Sequence, residues 1–248
     1  IGNTNMLAPY RDIRDANVQW VSAAVDICAA RDARLIHMST FVVNAEVDAA
    51  RVTDPREALY PYAASKALAE LVVAASPRGL DFTLARLPRV LGEAGQLVDS
   101  ADVLVSIVDA CIALRACPSV SLTEEVTTGY AAATSILGMA SEPSALGRGI
   151  TVVRGMEVRY AEFLAGFGLD EIELSEWKQL LDGSDWAKRN PRRWSVIDAW
   201  AGLGLRLGSQ TYADHLARYP TISLDAAVSE LGAVPESIRD LLVQGCSQ

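Results

Sequence analysis

The chain has 248 residues, half of them apolar, with a formal net charge of −9 and a pI near 4.8. That length allows one large domain or two small ones around a real hydrophobic core. The acidic balance argues against a nucleic-acid surface, which needs clustered positive charge; no apolar run reaches the roughly 18 residues of a membrane span, and the apolar content is too high for a disordered chain.

Ile1 is no initiator, and Ile1-Gly-Asn-Thr-Asn5 reads as the exit from a strand, so a preceding segment is expected. Tyr10 to Ala30 reads as a long helix, with Ile13, Val18, Val21, Val25 and Ile27 near helical spacing and Pro9 at its start. Arg34 to Ser39 suits a buried strand, and Thr40 to Leu59 a mixed, partly acidic loop. Pro61 opens a second helix, Tyr62 to Ala75, which the Ser76-Pro77-Arg78-Gly79 turn ends. Asp81 to Arg86 is a strand, Val103 to Ala116 a helix, Ser119 to Leu122 a short strand, Tyr130 to Ala140 a helix and Gly149 to Val153 a strand. Strands and helices alternating across short connections indicate βαβ units and a parallel sheet.

After Arg154 the texture changes. Four of the five tryptophans (Trp177, Trp186, Trp194, Trp200) lie there, and the segments Tyr160–Gly166, Ser175–Leu181, Trp194–Trp200, Ser223–Leu231 and Glu236–Val243 read as helices. The expected fold is α/β: residues 1–153 form the C-terminal part of a Rossmann-type doubly wound sheet, and residues 154–248 form a smaller, mostly helical substrate lobe, to which about 92–124 can also be assigned. Cys28, Cys111, Cys117 and Cys246 make no C-x-x-C pair, and His37 and His215 are the only histidines, so buried reduced thiols in a cytoplasmic protein are expected rather than a metal site.

The sharpest chemical signal is Tyr62-Ala-Ala-Ser-Lys66. Residues four apart share one helix face, so the phenol and the ammonium can meet at one place. A nearby cation favours the phenolate and lowers the tyrosine pKa toward working pH, which suits a general acid or base. With seven tyrosines and three lysines in the chain, about 0.08 such pairs would arise by chance at even spacing. Ser39-Thr40 closes the strand 22 residues before Tyr62, at the strand end where parallel α/β sheets bind ligands, and a hydroxyl there can donate to a carbonyl oxygen.

Thr40 at a strand end, Tyr62-x-x-x-Lys66 opening the next helix and Asn17 in the preceding helix resemble the extended short-chain dehydrogenases/reductases. Ala8-Pro9-Tyr10 through Asn17-Val18, His37-Met-Ser-Thr40, Arg78-Gly79-Leu80 and Arg86-Leu-Pro-Arg-Val-Leu-Gly92 resemble the thioester reductase domains that end some nonribosomal peptide synthetases and carboxylic acid reductases. The resemblance covers about residues 5 to 140 and departs at Trp20, where the family has glycine, and at Leu87-Pro88, where it has Pro-Gly. It implies an NADPH-dependent release of a carrier-bound acyl or peptidyl thioester as aldehyde or alcohol. By resemblance, Thr40, Tyr62, Lys66 and Asn17 are the catalytic set, and Ser39, Tyr62, Lys66, Arg86, Pro88 and Val90 contact the cofactor. The family's glycine-rich dinucleotide loop would lie before Ile1. Two other readings stay open: a nucleotide-sugar epimerase, dehydratase or steroid-type dehydrogenase on the same scaffold, and a non-catalytic module that binds a carrier protein.

Three further features complete the reading. Gly202-Leu-Gly204-Leu-Arg-Leu-Gly208 lacks a preceding strand and is expected to be an interhelical connection rather than a phosphate loop. His215 reads as a helix-surface residue. Lys188, Arg189, Arg192 and Arg193 form the one dense basic patch of an acidic chain, a candidate dock for an acidic carrier protein or its phosphopantetheine phosphate.

Overall fold

A computed structural model of the chain describes residues 2–5, 8–43, 51–53, 55, 58, 60–77, 79–141, 149–207, 221–223, 228–232 and 238–246. Helix α1 (Tyr10–Arg14) follows Pro9 and runs through one π-helical turn, Asp15–Gln19, into α2 (Trp20–Ala30). The expected long helix is therefore present but widened at one turn, and that turn buries Asn17 and Val18. Such widened turns concentrate at functional sites. Strand β1 (Leu35–Thr40) leads into a short 3-10 turn, Phe41–Val43, and β2 (Arg51–Thr53) follows. Helix α3 (Pro61–Ala74) starts on proline, whose missing N–H costs nothing in the first turn. Strands β3 (Phe82–Leu87) and β4 (Arg89–Leu91) flank Pro88, and the short α4 (Ala94–Leu97) precedes α5 (Val103–Leu114).

Arg115 ends α5 in the left-handed conformation, with φ 56°, and turns the chain at once into β5 (Ala116–Ser119). The strand expected at Ser119 to Leu122 thus begins three residues earlier. Strand β6 (Thr123–Thr128) then leads into α6 (Gly129–Ser141), and β7 (Gly149–Arg154), β8 (Met156–Arg159) and α7 (Tyr160–Ala165) follow. Strand β9 (Asp170–Glu173) precedes the helices α8 (Leu174–Gly183), α9 (Asp185–Arg189) and α10 (Pro191–Leu207). Strands β10 (Thr221–Ser223) and β11 (Val228–Gly232) and helix α11 (Ile238–Cys246) close the described chain. Gly202 and Gly204 lie inside α10 rather than in a connection. His215 lies outside the described residues.

Contacts divide the chain into two compact units. The first takes Ile1–Pro88, Tyr130–Arg154 and Ala213–Ala233; the second takes Arg89–Gly129, Gly155–Tyr212 and Val234–Gln248. The first unit holds a four-stranded sheet of order β1-β3-β7-β11, parallel at every pairing. One face packs α2 and α3 through Val25, Val73, Leu80, Phe82, Leu84, Ile150 and Val152, and the other packs α6 through Ala85, Met139, Ile36 and Ile136. Helices on both faces explain why Phe82 to Arg86 of β3 and Gly149 to Val153 of β7 are all buried. The Rossmann-type α/β expectation is met. The helix expected over Ser223–Leu231 is not: Val228–Gly232 is a strand, its backbone paired with Ile150–Arg154. The outer edge of β7 offers a row of donors and acceptors, and pairing them outweighs the helical spacing of Val228 and Leu231.

The second unit is mainly helical, with a three-stranded sheet, β4-β6-β8, and a two-stranded one, β5-β9. Three of its tryptophans are anchors with satisfied ring N–H groups: Trp177 donates to the Ala116 carbonyl at 2.9 Å, Trp186 to Asp109 at 3.0 Å and Trp194 to Asp182 at 2.8 Å; Trp200 stacks on Tyr160. Among the described residues no helix is long and apolar enough to cross a membrane.

His37 sits inside β1 of the first unit at 8% exposure, with its ring Nε2 unpartnered among the described residues. Burial, helped by the charge of Lys66, pulls its pKa down to about 3. The folded ring is therefore neutral where the unfolded one, near 6.5, takes a proton, so its contribution to stability is complete above about pH 6.5 and is lost as pH falls toward 3. Urea unfolding at pH 7 and pH 5 should show a loss of about 2 kcal/mol from this group, absent in His37→Gln. An equal loss in both proteins would assign the acid sensitivity to carboxylates instead.

Candidate active site

Helix α3 brings three side chains onto one side. Tyr62, Lys66 and Glu70 recur every four residues, and small residues between them (Ala63, Ala67, Ala69) are buried, so the helix lies close to the sheet. Strand β1 ends beside it with Ser39 and Thr40, both buried. Among the influences on the Tyr62 phenol is a hydrogen bond with Thr40, the residue that ends β1. The Tyr62 ring stacks on Tyr60 with centroids 6.3 Å apart and planes at 16°.

The electrostatics differ from the expectation. A phenol lowered by Lys66 is not what the structure contains: burial is the larger influence and raises Tyr62 to about 12, with the Thr40 hydrogen bond opposing it. Lys66 Nζ instead donates to the Met38 carbonyl at 3.0 Å, and burial lowers its own pKa against the opposing charge of Glu70. The i, i+4 spacing puts the two residues on one side of the helix, but the ammonium is engaged by a carbonyl of β1. The Tyr62 phenol is accordingly protonated at neutral pH.

Asn17 reaches this site from the widened turn. Its Nδ2 donates to Ser65 Oγ at 2.9 Å and to the Asn3 carbonyl at 2.9 Å, while its Oδ1 accepts from the Asn3 N–H at 2.7 Å. Ser65 in turn donates to the Tyr62 carbonyl at 2.7 Å. Asn17 thus holds the first turn of α3 and the segment at Asn3 together. A regular α-helical turn would carry Asn17 at a different angle about the helix axis, which is what the widened turn changes. Ser65 was not among the sequence candidates. Its only signal is a small hydroxyl between Tyr62 and Lys66 on a buried helix face.

The remaining candidates separate. Ser39 and Arg86 do not face solvent: Ser39 donates to Glu70 at 2.5 Å, and Arg86, 2% exposed, donates to both oxygens of Glu70 at 3.1 and 2.7 Å. Pro88 is buried directly after β3, whereas Val90 belongs to β4 of the second unit and is 39% exposed. Glu70 was missed in the sequence because a lone acid on a helix ordinarily reads as solvated. The only pointer is its place one turn after Lys66 on a helix otherwise lined by alanine and valine.

The basic patch lies in the second unit and loses a member. Lys188 pairs with Asp185 at 2.9 Å on the surface, Arg189 donates to the Asp185 carbonyl at 3.2 Å, and Arg192 is exposed. Arg193 turns inward instead: it donates to Asp109 at 2.5 Å and to the carbonyls of Leu97, Val98 and Ser100 at 2.7–2.9 Å. Its side chain is 11% exposed, so it ties α10 to α4 and α5 rather than presenting charge to a partner.

The Tyr62–Lys66 pair also suits a nicotinamide nucleotide. An ammonium carries three N–H donors, and the Met38 carbonyl takes one, which leaves two for a ribose diol beside a half-buried phenol.

The chain is 61% identical over its whole length to an isonitrile lipopeptide synthase of Mycobacterium marinum (strain ATCC BAA-535 / M), of which it spans 18%. Among solved structures it is similar to the terminal R domain of the myxalamid PKS-NRPS biosynthetic pathway, with a TM-score of 0.68 and 18% identity over 99% of this chain and 65% of that one. A thiolation-reductase di-domain from an archaeal non-ribosomal peptide synthetase matches with a TM-score of 0.57 and 17% identity, over 87% of this chain and 55% of that one. At such identities these two establish the fold. The profile of the male sterility protein family, an NAD-binding family, matches residues 2–134, which contain Asn17, Thr40, Tyr62 and Lys66. The chain belongs to that family of NAD-binding, Rossmann-type oxidoreductases.

Proposed function

We propose that the chain carries out NADPH-dependent reduction of an acyl or peptidyl thioester held on a carrier protein, releasing it as aldehyde or alcohol. The observation that carries this reading is the hydrogen bond between Thr40 and Tyr62 at the C-terminal end of a parallel sheet, with Lys66 one turn along. The likeness to a lipopeptide synthase and to reductase domains of peptide synthetases supports the substrate class.

When bound, the cofactor supplies hydride to the thioester carbon. The residues of the chain handle the rest. Thr40 and Tyr62 hydrogen-bond the carbonyl oxygen as negative charge develops on it, and donors fixed before the reaction need no reorganisation. Tyr62 then gives that oxygen its proton; with its pKa raised to about 12, the phenol is protonated throughout the neutral range. The hydroxyl so formed gives up its proton as the C–S bond breaks, that proton leaves with the carrier's thiol, the aldehyde remains and Tyr62 regains a proton from solvent; release as alcohol takes a second hydride and a second proton. Lys66, with two N–H groups not engaged by Met38, would hold the ribose hydroxyls, and its charge would offset that on Tyr62 once the proton has left. Asn17 fixes the first turn of α3 through Ser65 and so fixes where the phenol points.

The intact protein should oxidise NADPH when offered a carrier-bound acyl thioester and should not do so with nucleotide sugars or steroids. Turnover only with the latter would favour another extended reductase on this scaffold, and carrier binding without turnover would favour a non-catalytic module. Tyr62→Phe removes only the proton donor and should lower kcat by about 10²–10⁴-fold with the circular dichroism spectrum unchanged. Retention of more than about a tenth of wild-type turnover would exclude Tyr62 as the acid.

Carrier proteins are generally acidic, and a chain of net charge −9 repels one at long range unless positive charge is gathered at the dock. The exposed part of the basic patch, Lys188, Arg189 and Arg192, supplies it. Reversing Arg189 and Arg192 to Glu should raise the KM for carrier-bound substrate, most at low salt, with kcat nearly unchanged and a small free thioester unaffected. Equal losses on both substrates would reveal a folding defect.

A further inference from the structure

The most buried charges of the first unit lie beside the reacting pair and take no part in the steps above. Glu70 has no exposed surface and Arg86 is 2% exposed. The Glu70 carboxylate receives three hydrogen bonds: Oε1 accepts from Ser39 Oγ at 2.5 Å and from Arg86 Nε at 3.1 Å, and Oε2 accepts from Arg86 Nη2 at 2.7 Å. Ser39 is the neighbour of Thr40 on β1, Arg86 stands one residue before the end of β3, and β1 and β3 are paired in register at Ser39 and Arg86. One carboxylate on α3 therefore grips two adjacent strands at a single level of the sheet. Tyr62 and Lys66 lie two turns and one turn before it on the same side of the helix.

We propose that Glu70 is the positioning residue of this site: by holding Ser39 and Arg86 together it sets the height and rotation of α3, and hence the placement of Tyr62 and Lys66 against Thr40. This role rests on the reductase reading of Tyr62 and Lys66. Glu70 touches none of the reacting atoms. The planar fork of Arg86 admits one orientation of the carboxylate, and Ser39 removes the freedom that would remain. A rigid tie of this kind matters because displacing a reacting group by about 1 Å costs on the order of 10²-fold in rate.

The same geometry has an electrostatic consequence. The groups around Lys66 are Tyr62 and Glu70 on its own helix, His37 on β1, and Arg86 on β3, the last bound to Glu70. His37 is neutral, so Glu70 is the only negative charge among them. Burial drives Lys66 toward its neutral form and Glu70 opposes this, so Glu70 also preserves the ammonium that binds and compensates.

The test separates this role from simple stabilisation. The chain holds three lysines, Lys66, Lys178 and Lys188, so the ¹³Cε resonance of Lys66 in the lysine-labelled chain can be assigned with Lys66→Arg and titrated without cofactor or substrate. Glu70→Gln, which keeps the shape and loses the charge, should lower the Lys66 midpoint by about one pH unit, and Glu70→Asp should leave it nearly in place. In the intact protein Glu70→Gln should lower kcat about 10- to 100-fold with the KM for NADPH within about threefold, and move the alkaline limb of the pH profile to lower pH. Glu70→Asp should lower kcat without moving that limb. An unchanged Lys66 midpoint in Glu70→Gln, or a lower melting temperature with unchanged kcat, overturns the proposal. Should Glu70→Gln fail to fold, Ser39→Ala removes one of the three ties and leaves no charge unpaired; it should lower kcat by about threefold, and an unchanged kcat overturns the proposal equally. If the wild-type protein oxidises no NADPH with any thioester, the reductase reading fails, while the lysine titration still decides the placement of Glu70.

Discussion

A carboxylate and a guanidinium removed from water each forfeit several kcal/mol of hydration, and they remain ionised only where geometry returns that energy. Glu70 and Arg86 meet the condition with two hydrogen bonds to each other and a third from Ser39. Such a pair contributes less to stability than its short distances imply, because apolar residues of the same volume would fill the space at no desolvation cost. What it provides is directional. Apolar packing between α3 and the sheet is compatible with small slides of the helix; a forked ion pair anchored on two strands is not. The hydrogen bond between Thr40 and Tyr62 is made at the end of the element so anchored.

The burial that makes the anchor necessary also sets the chemistry of its neighbours. His37, Tyr62 and Lys66 are all shifted toward their neutral forms, and desolvation is the largest cause for each. A phenol near 12 keeps its proton throughout the neutral range, and the same burial makes that proton harder to give up than a free phenol's. The remaining ammonium donors are what a ribose would meet there.

The second unit shows a different economy of charge. Arg89 bridges Asp102 at 2.5 Å and Glu124 at 2.8 Å, Glu124 also accepts from the Tyr160 hydroxyl, and Asp102 caps α5. Arg193 serves three carbonyls and Asp109. Here Arg193 gathers the carbonyls at the end of α4 and just after it, while the indoles of Trp177, Trp186 and Trp194 bury area and still satisfy their N–H groups.

Local order along the chain was enough to read the α/β alternation, most helices within a few residues, and the Tyr62–Lys66 pair, since spacings of two and four residues are set by strand and helix geometry alone. The resemblance of Asn17, Thr40, Tyr62 and Lys66 to a known constellation was readable for the same reason. Other features depended on partners distant in sequence. Val228–Gly232 became a strand because the edge of β7 required pairing, and the charged strand Thr123–Thr128 was hidden because Arg89, 35 residues from Glu124, neutralises it. Arg193 was indistinguishable from its basic neighbours until Asp109, 84 residues away, claimed it. Glu70 looked like any solvated helix acid, because Ser39 and Arg86 lie 31 and 16 residues from it. The Tyr62–Lys66 spacing suggests a phenol acidified by its lysine because spacing shows proximity, whereas the degree of burial, the larger influence, exists only once β1 and α3 are packed together.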